Sequence, residues 1–234
     1  MGGQAVILGI DSTGMAASIA LADKNITIGE FTTNFKKTHS QTLMPMMDVL
    51  FKTLDVEPKD IDYIACSSGP GSFTGLRIGA AAAKGLAMGL NKEIVPVPSL
   101  DAMAYNVFES AKIIVPIMDA RRNQVYTALY RIKKGKLVRL TDYLADDLEY
   151  VFNIIRSYNK EAVFLGDGAI AHKEKILESG NSIAPSHINM QRAAAVASLA
   201  YELTETAIDP KDFAPFYIRK SQAEREMENK CKTT

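Results

Sequence analysis

The sequence predicts an α/β protein made of two halves that share one order of elements. Three observations lead to this prediction. Short apolar runs typical of strands alternate with helical patterns, the order of these elements repeats, and a glycine-rich loop joins a strand to a helix in the first half. With 234 residues, the chain can form one large domain or two small ones around a sizeable core.

The first half opens with three strands in a β-meander, followed by alternating helices and strands. The predicted strands cover residues 5–10, 16–22, 26–35 and 61–68, and the predicted helices cover 39–54, 75–90 and 99–108. The first strand ends at Asp11, which is followed by the polar run Ser12-Thr13. This acidic turn is therefore a candidate functional position.

The second half repeats this order. The predicted strands cover residues 112–118, 125–133, 137–144 and 162–165, and the predicted helices cover 146–158, 172–178 and 191–207. Its first strand ends at Asp119, which corresponds to Asp11 of the first half. The fourth strand ends at Gly166-Asp167-Gly168, which we predict to be a turn.

Two such halves around a cleft are typical of the duplicated actin/hexokinase-like (ASKHA) fold, whose cleft holds a phosphate-bearing ligand between two β-turns. We therefore expect two mixed-sheet subdomains with flanking helices, at residues 1–104 and 105–220, with a hinge near 104–112. Charges alternate in residues 221–234, so we expect a solvated helical turn or disorder in this tail.

The glycine loop after the 61–68 strand has two interpretations. Glycines allow an unusual backbone path and close approach of another group, and the helix that follows presents unpaired N–H groups that suit an anion. Alternatively, the loop is a turn that only packs tightly. Its spacing matches neither the phosphate-binding Walker loop nor the dinucleotide fingerprint.

Composition limits the classes of partner. Lys plus Arg and Asp plus Glu are equal at 27 each, so no global positive charge attracts nucleic acid. No run reaches the roughly 18 apolar residues that a membrane helix needs. The two cysteines, Cys66 in an apolar strand and Cys231 in the charged tail, favour a reducing compartment without disulfides. We expect a cytoplasmic protein that does not contact a membrane.

Three motifs and a closing segment resemble the bacterial TsaB (YeaZ) family over about residues 5–220. The segments are Ile7-Leu8-Gly9-Ile10-Asp11-Ser12-Thr13, Gly69-Pro70-Gly71-Ser72-Phe73-Thr74-Gly75-Leu76-Arg77-Ile78-Gly79, Asp119-Ala120-Arg121-Arg122-Asn123-Gln124-Val125-Tyr126 and Pro215-Phe216-Tyr217-Ile218-Arg219. The glycine loop with its Phe and Arg is the most specific of these.

The resemblance implies a role in making threonylcarbamoyladenosine next to the anticodon of tRNA. In that machinery a catalytic paralogue, TsaD, performs the transfer, and TsaE is an ATPase. The resemblance implies that this chain is a non-catalytic platform that pairs with a TsaD-like paralogue and enables recruitment of a TsaE-like ATPase. It also implies a homodimer when alone and contact with tRNA only through the complex.

The histidines argue against a metal centre. The catalytic relative binds a metal through a His-x-x-x-His pair, whose comparable positions here are Ser99 and Met103. The three histidines of this chain, His39, His172 and His187, have no paired spacing. We therefore predict no metal site and no catalytic residue, and a metal-dependent peptidase is the weakest alternative.

Asp11 is the remaining candidate for a functional residue in the cleft. In this fold an Asp at the end of the first strand can hold a metal-bound water near phosphate, whereas the alternative is an Asx turn that shapes the hairpin. The candidate nucleotide contacts, which we interpret as vestigial, are Asp11, Ser12, Gly69, Gly71 and Gly168. We expect no tightly bound cofactor, with ATP as the ligand of the alternative function.

Two helices are candidates for an interface with the paralogue or with a second copy. Helix 39–54 is apolar on more than one side, and helix 75–90 is rich in small residues that permit close backbone approach. The candidate interface residues are Met44, Met47, Phe51, Ile78, Ala82 and Ala83. Glutamate at Ala82 or Ala83 is expected to weaken association and spare the fold. The alternative for helix 39–54 is a fully buried core helix.

Two functions of different classes follow. The first is the scaffold subunit in tRNA modification, favoured by the family resemblance, the missing histidine pair and the Met-rich helix. The second is a small ATP-binding phosphotransferase of the same fold that uses Asp11. Magnesium-dependent ATP binding that Asp11→Ala abolishes would favour the second.

Overall fold

The computed structural model describes residues 4–35, 38–108, 110–121 and 123–219 and contains two lobes, each built on its own sheet. The tail at 221–234, for which we expected a solvated turn or disorder, lies outside the described residues. The elements of the first lobe are β1 (Ile7–Asp11), β2 (Ala17–Ala22), β3 (Thr27–Thr33), α1 (His39–Leu54), β4 (Tyr63–Gly69), α2 (Phe73–Leu90), β5 (Glu93–Pro98) and α3 (Ser99–Tyr105).

The second lobe repeats the hairpin, helix and parallel strand of the first. Its elements are β6 (Ile113–Asp119), β7 (Gln124–Thr127), β8 (Tyr130–Lys133), β9 (Lys136–Arg139), β10 (Leu144–Asp147), α4 (Leu148–Ser157), β11 (Ala162–Leu165), α5 (Asp167–Ala171), α6 (Lys173–Glu178), β12 (Ser182–Ile183) and α7 (Ala193–Ala200). Short 3-10 turns lie at Pro58–Asp60 and Thr204–Thr206.

Strand order shows the duplication directly. The first sheet has the order β3-β2-β1-β4-β5, and the main path of the second has the order β10-β7-β6-β11-β12. In both, the strand that ends in Asp is central, with an antiparallel partner on one side and a parallel partner on the other. The predicted duplicated actin/hexokinase-like fold is confirmed.

Several predicted boundaries are wrong in detail. The predicted strand 125–133 is two strands, because β7 pairs with β6 and β10 whereas β8 pairs chiefly with β9. The predicted strand 137–144 is likewise divided between β9 and β10. Helix 191–207 is shorter, since the chain turns after α7 and Ile208 pairs with Ile94 of β5. The predicted turn at Gly166-Asp167-Gly168 instead opens the short helix α5.

Helix α7 lies on the first sheet, although it comes late in the chain. Gly9 of β1 allows this contact, because an added Cβ would fall closer than 3.0 Å to the carbonyl oxygen of Ala193. The first N–H groups of the helix are also bonded to that sheet. Ala193 N donates to Ser18 Oγ over 2.9 Å, and Ala194 N donates to Glu30 Oε1 over 3.0 Å. The division into units at residues 104/105 stays a prediction.

Helices α1 and α2 cover the opposite face of the first sheet. Leu43, Met47 and Leu50 of α1 and Ala80, Ala83 and Ala87 of α2 join one buried apolar cluster, which also contains Phe213. Both helices end at a left-handed residue, Asp55 with φ 51° and Asn91 with φ 53°. In the described part of the chain, no helix is long and apolar enough to cross a bilayer.

Candidate functional site

A cleft of about 760 Å³ lies between the two lobes. The turn after β1, the glycine loop before α2, the turn after β6 and residues 216–219 form its walls. These are the places where the sequence predicts functional residues. The contacts of each candidate decide what the cleft can bind.

Asp11 is a buried structural residue in this conformation. It is 1% exposed, and one of its carboxyl oxygens accepts the backbone N–H of Thr13 over 2.9 Å and the Thr13 hydroxyl over 2.7 Å. The other oxygen accepts the Ser67 hydroxyl over 2.5 Å. Burial raises the pKa of Asp11, against the lowering effect of these hydrogen bonds. The geometry is that of the Asx turn.

The glycine loop is filled by the backbone of its own chain. An added Cβ on Gly71 would lie 2.5 Å from the carbonyl oxygen of Thr13, and one on Gly75 would fall inside 3.0 Å of the carbonyl oxygen of Ser12. The Ser12 hydroxyl also donates to the carbonyl of Gly75 over 2.8 Å. The absence of side chains at Gly71 and Gly75 therefore brings the first hairpin against the loop.

Gly69 makes a third close contact. It has φ +121° and precedes Pro70 in a cis peptide bond, and an added Cβ would fall inside 3.0 Å of the carbonyl oxygen of Phe216. Its N–H donates to the Ser99 hydroxyl over 3.0 Å. Ser99 therefore holds the glycine loop in place through this hydrogen bond.

The second lobe presents its acidic residues to the cleft. Asp119 is exposed, and one of its oxygens accepts the backbone N–H of Arg121 over 2.7 Å. Asp167 is partly buried, and its Oδ1 has no hydrogen-bond partner among the described residues. Burial raises the pKa of Asp167. Gly168 is buried behind it, where an added Cβ would lie 3.0 Å from the Ile117 carbonyl oxygen.

Aromatic rings and guanidinium groups that we did not predict form the remaining walls. The Arg77 guanidinium lies 3.9 Å from the centroid of the Phe73 ring, whose centroid is 4.9 Å from that of Tyr217. Arg219 lies 5.9 Å from the centroid of the Tyr126 ring. The sequence signal for this wall is the Phe-Tyr-Ile-Arg run near residue 217, but nothing in the sequence places it beside α2.

The site residues do not fit a magnesium nucleotide bound in the manner of the fold class. The carboxyl oxygens of Asp11 are bonded within the protein, and the loop glycines are occupied by carbonyl groups. Within the described ranges, no group of three or more His, Cys, Asp or Glu side chains is placed to hold a metal ion. His39 contacts the Gly14 carbonyl oxygen through Nε2 over 2.9 Å.

The predicted interface residues divide between core and surface. Met44 is 51% exposed, and Phe51, Ile78 and Ala82 are half-buried. Met47 and Ala83 are 2% and 0% exposed, so their side chains belong to the core. The expectation that Ala83→Glu spares the fold is therefore wrong, because a charge at this position would lie in the apolar interior.

Two glycines of α2 complete this surface and were not among our candidates. An added Cβ on Gly85 or Gly89 meets no heavy atom of the described residues within 4 Å. Met88, between them, is 58% exposed, and Val49 of α1 is 45% exposed. We call the surface formed by Met44, Val49, Ile78, Ala82, Gly85, Met88 and Gly89 the α1/α2 face.

Known proteins resemble this chain over almost its full length. The family model described as "TsaD: tRNA N6-adenosine threonylcarbamoyltransferase" matches residues 27–227. The Bacillus subtilis tRNA threonylcarbamoyladenosine biosynthesis protein TsaB is 36% identical over 225 residues, which is 93% of this chain and 96% of that protein. A solved structure of YeaZ from Pseudomonas aeruginosa covers 92% of this chain and 100% of its own, with a TM-score of 0.77 and 22% identity.

The transferase itself is a partial match. The Persephonella marina tRNA N6-adenosine threonylcarbamoyltransferase is 31% identical over 132 residues, covering 56% of this chain but 37% of that enzyme. The resemblance to TsaB, by contrast, extends along both proteins. From this match and from the motifs at the cleft, the chain belongs to the TsaB (YeaZ) family.

Proposed function

We propose that this protein is a non-catalytic subunit of the complex that transfers a threonylcarbamoyl group to adenosine next to the anticodon of tRNA. It pairs with a TsaD-like catalytic paralogue through the α1/α2 face. The family membership supports the pathway, since the curated relative is named for threonylcarbamoyladenosine biosynthesis. The geometry of the α1/α2 face supports the pairing.

The observation that carries the proposal is the open space at Gly85 and Gly89. A glycine inside a helix costs about 0.8–1 kcal/mol relative to alanine. Glycines of the same helix near its start are needed to admit the first hairpin, whereas no described residue lies within 4 Å of a Cβ added at Gly85 or Gly89. These two glycines have no such packing role within the described residues. Close approach of a partner backbone would explain why the helix has glycine at both positions.

The surrounding side chains suit a helical partner. Met44 and Met88 are more than half exposed, and methionine adapts its shape to different apolar surfaces. Ala82 lies one helical turn before the open glycines and adds a second small residue to the strip. A flat strip of small residues flanked by methionines can pack against one or two helices of a paralogue or, in its absence, of a second copy.

The cleft supports a non-catalytic role. The polar groups of its motifs are bonded within the protein, since Asp11 and Ser12 form hydrogen bonds to their own chain and the glycines admit backbone carbonyls. We further propose that the TsaE-like ATPase joins through the complex and that tRNA is contacted through the complex, in keeping with the equal numbers of acidic and basic residues. A cytoplasmic location follows from this role.

Reconstituted threonylcarbamoylation tests the proposal. The assay combines tRNA with a TsaD-like transferase and a TsaE-like ATPase, with and without this protein, and sedimentation measures complex formation. We expect modification and the mixed complex to require this protein. Full activity without it, together with separate sedimentation, would contradict the proposal.

The variant Gly85→Leu tests whether the transferase binds at the α1/α2 face. A Cβ added at Gly85 meets no described heavy atom within 4 Å and leucine raises helix propensity, so we expect the fold to be retained, whereas the larger side chain blocks close approach of the partner. We expect at least about a 100-fold loss of affinity for the transferase. Asn153→Leu on the exposed side of α4 is the matched control and should leave affinity unchanged.

The phosphotransferase alternative remains distinguishable by ATP binding. It requires Asp11 to act on a bound magnesium nucleotide, but this side chain is 1% exposed and fully bonded. Calorimetry of the protein alone with Mg·ATP should therefore give no tight binding. Tight binding that is lost in Asp11→Ala and retained in Asp119→Ala would support the phosphotransferase instead.

A further inference from the structure

The last described segment runs from the first lobe to the second. On the first lobe, Ile208 exchanges both backbone hydrogen bonds with Ile94, at 3.0 and 2.9 Å. Lys84 of α2 donates to the carbonyl oxygens of Lys211 and Phe213, each over 3.0 Å. Phe213 is 2% exposed in the core of the first lobe. The beginning of the segment is thus fixed to the first lobe by backbone, side-chain and apolar contacts.

The segment then reaches the glycine loop at the edge of the cleft. The N–H of Phe216 donates to the Ser68 carbonyl over 2.7 Å, and the carbonyl of Phe216 lies against Gly69. A side chain at Gly69 would prevent this approach, so the glycine has a specific role in seating the segment. The ring of Tyr217 packs on Phe73 at the start of α2.

Beyond this point the contacts belong to the second lobe. The ring of Phe216 packs against Tyr143, with 5.5 Å between centroids. The Arg219 guanidinium donates to the side-chain oxygen of Gln124 and, over 3.2 Å, to the carbonyl oxygen of Ala145. These two residues lie on the neighbouring strands β7 and β10, so one guanidinium holds the edge of the second sheet.

The surface that receives Phe216 is held by a network of hydrogen bonds. The Tyr143 hydroxyl donates to Asp101 Oδ1 over 2.8 Å, and the Tyr130 hydroxyl donates to the same oxygen over 2.6 Å. The Arg139 guanidinium lies 4.1 Å from the centroid of the Tyr143 ring. Because Asp101 is on α3, this network already joins the end of the first half to the second sheet.

We propose that residues 213–219 form a clamp that holds the two lobes at a fixed opening. Two-lobe proteins commonly close around ligands by hinge motion, and such motion has to break contacts that span the lobes. Here one segment of seven residues bonds to Ser68 on one side and to Gln124 and Ala145 on the other. The clamp is independent of the α1/α2 face and of the function proposed for it.

Hydrogen exchange of the full-length protein tests the clamp. In Phe216→Ala and in Arg219→Gln, we expect amides of β7, β10 and the glycine loop to exchange about tenfold faster or more, with the strands β1 and β2 unchanged. Phe216→Tyr keeps the ring and should retain the slow exchange. Tyr150→Ala removes an exposed ring from α4 and is the control for loss of an aromatic side chain.

A distance measurement separates lobe motion from local fraying. Spin labels at Asn25 in the first lobe and Lys134 in the second, both exposed, report the distribution of lobe separations. Arg219→Gln should broaden this distribution. Unchanged distributions and unchanged exchange in both clamp variants would overturn the proposal, as would uniform acceleration of exchange in both sheets without any change in separation.

Discussion

The two ends of helix α2 contain the same residue type in opposite surroundings. Near its start, an added Cβ on Gly75 would fall inside 3.0 Å of the Ser12 carbonyl oxygen, and one on Gly79 would lie 2.5 Å from the Ser12 hydroxyl. Near its end, Gly85 and Gly89 face open space. Glycines at the first end explain how the lobe packs, whereas glycines at the second end have no packing role among the described residues, which is why we propose a partner contact there.

The largest change in stability is expected from a glutamate substitution at Ala83 in the middle of α2, compared with the same substitution at its neighbour Ala82. Ala83 is 0% exposed, so Ala83→Glu should lower the free energy of unfolding by about 4 kcal/mol or more, because it buries an unpaired charge. Ala82→Glu, on the half-buried side, should change stability by about 1 kcal/mol or less and weaken association with the partner. Urea unfolding and sedimentation measure the two effects, and equal destabilisation by both variants would contradict the division of the helix into a core side and a partner side.

Gly75→Ala should destabilise the protein. The new methyl group would meet a backbone carbonyl that cannot rotate away, so the first hairpin or the helix start must shift. Overpacking of this kind costs about 1–3 kcal/mol, which exceeds the roughly 1 kcal/mol gained in helix propensity. Urea unfolding is the measurement, and an unchanged or higher midpoint would show that the hairpin is not held as described.

Gly85→Ala should stabilise the protein, in contrast to Gly75→Ala. The same substitution meets no described atom within 4 Å, so only the gain in helix propensity remains, about 0.8–1 kcal/mol. The midpoint of urea unfolding should therefore rise for the isolated protein. A lower midpoint for Gly85→Ala would mean that the end of α2 has internal contacts. The contrast drawn between the two ends of the helix would then be wrong.

The smallest effect concerns the pH dependence contributed by Asp11. Burial raises its pKa in the folded state, so its contribution to stability is fully present below the unfolded pKa and is lost as the pH rises through the folded pKa. Asp11→Asn removes this titration and can keep hydrogen bonds to Thr13 and Ser67.

The stability of Asp11→Asn relative to the natural protein should therefore improve as the pH rises above about 4, the ordinary pKa of an Asp side chain. Denaturant unfolding of both proteins at each pH measures the difference in their free energies of unfolding. The contributions of the other carboxyl groups are the same in both proteins and cancel in this difference. A relative loss of stability for the variant over this range would show that the charged carboxylate is favoured in the folded state.

Local patterns predicted most of the fold. The bounds of α1 at His39–Leu54 and of β11 at Ala162–Leu165 match the prediction. Helix α1 buries Leu43, Met47 and Leu50 at helical spacing, whereas β11 is a short apolar run whose four residues are all buried. The division between β7 and β8 was missed, since it depends on which strands pair in space. The position of α7 on the first sheet was missed for the same reason.

The site was predicted in outline but not in its chemistry. The turn after Asp11 and part of the glycine loop line the cleft, whereas Asp11 itself is buried. Whether the polar groups of these segments face a ligand or each other depends on the carbonyls of Ser12, Thr13 and Phe216. The aromatic wall joins Phe73 to Tyr217 across a long stretch of sequence. No local pattern contains that contact.

The return of the chain to the first sheet has a consequence for biosynthesis. The last strand of the first sheet ends at Pro98, but segments made much later pack on both faces of that sheet. Helix α7 packs on one face, and Phe213 packs into the apolar cluster on the other. During translation, the ribosome therefore releases β1 to β5 well before the segments that cover them are made. The nascent first lobe therefore keeps apolar surface uncovered until residue 213 has been made, and we expect its folding to be completed only after that point.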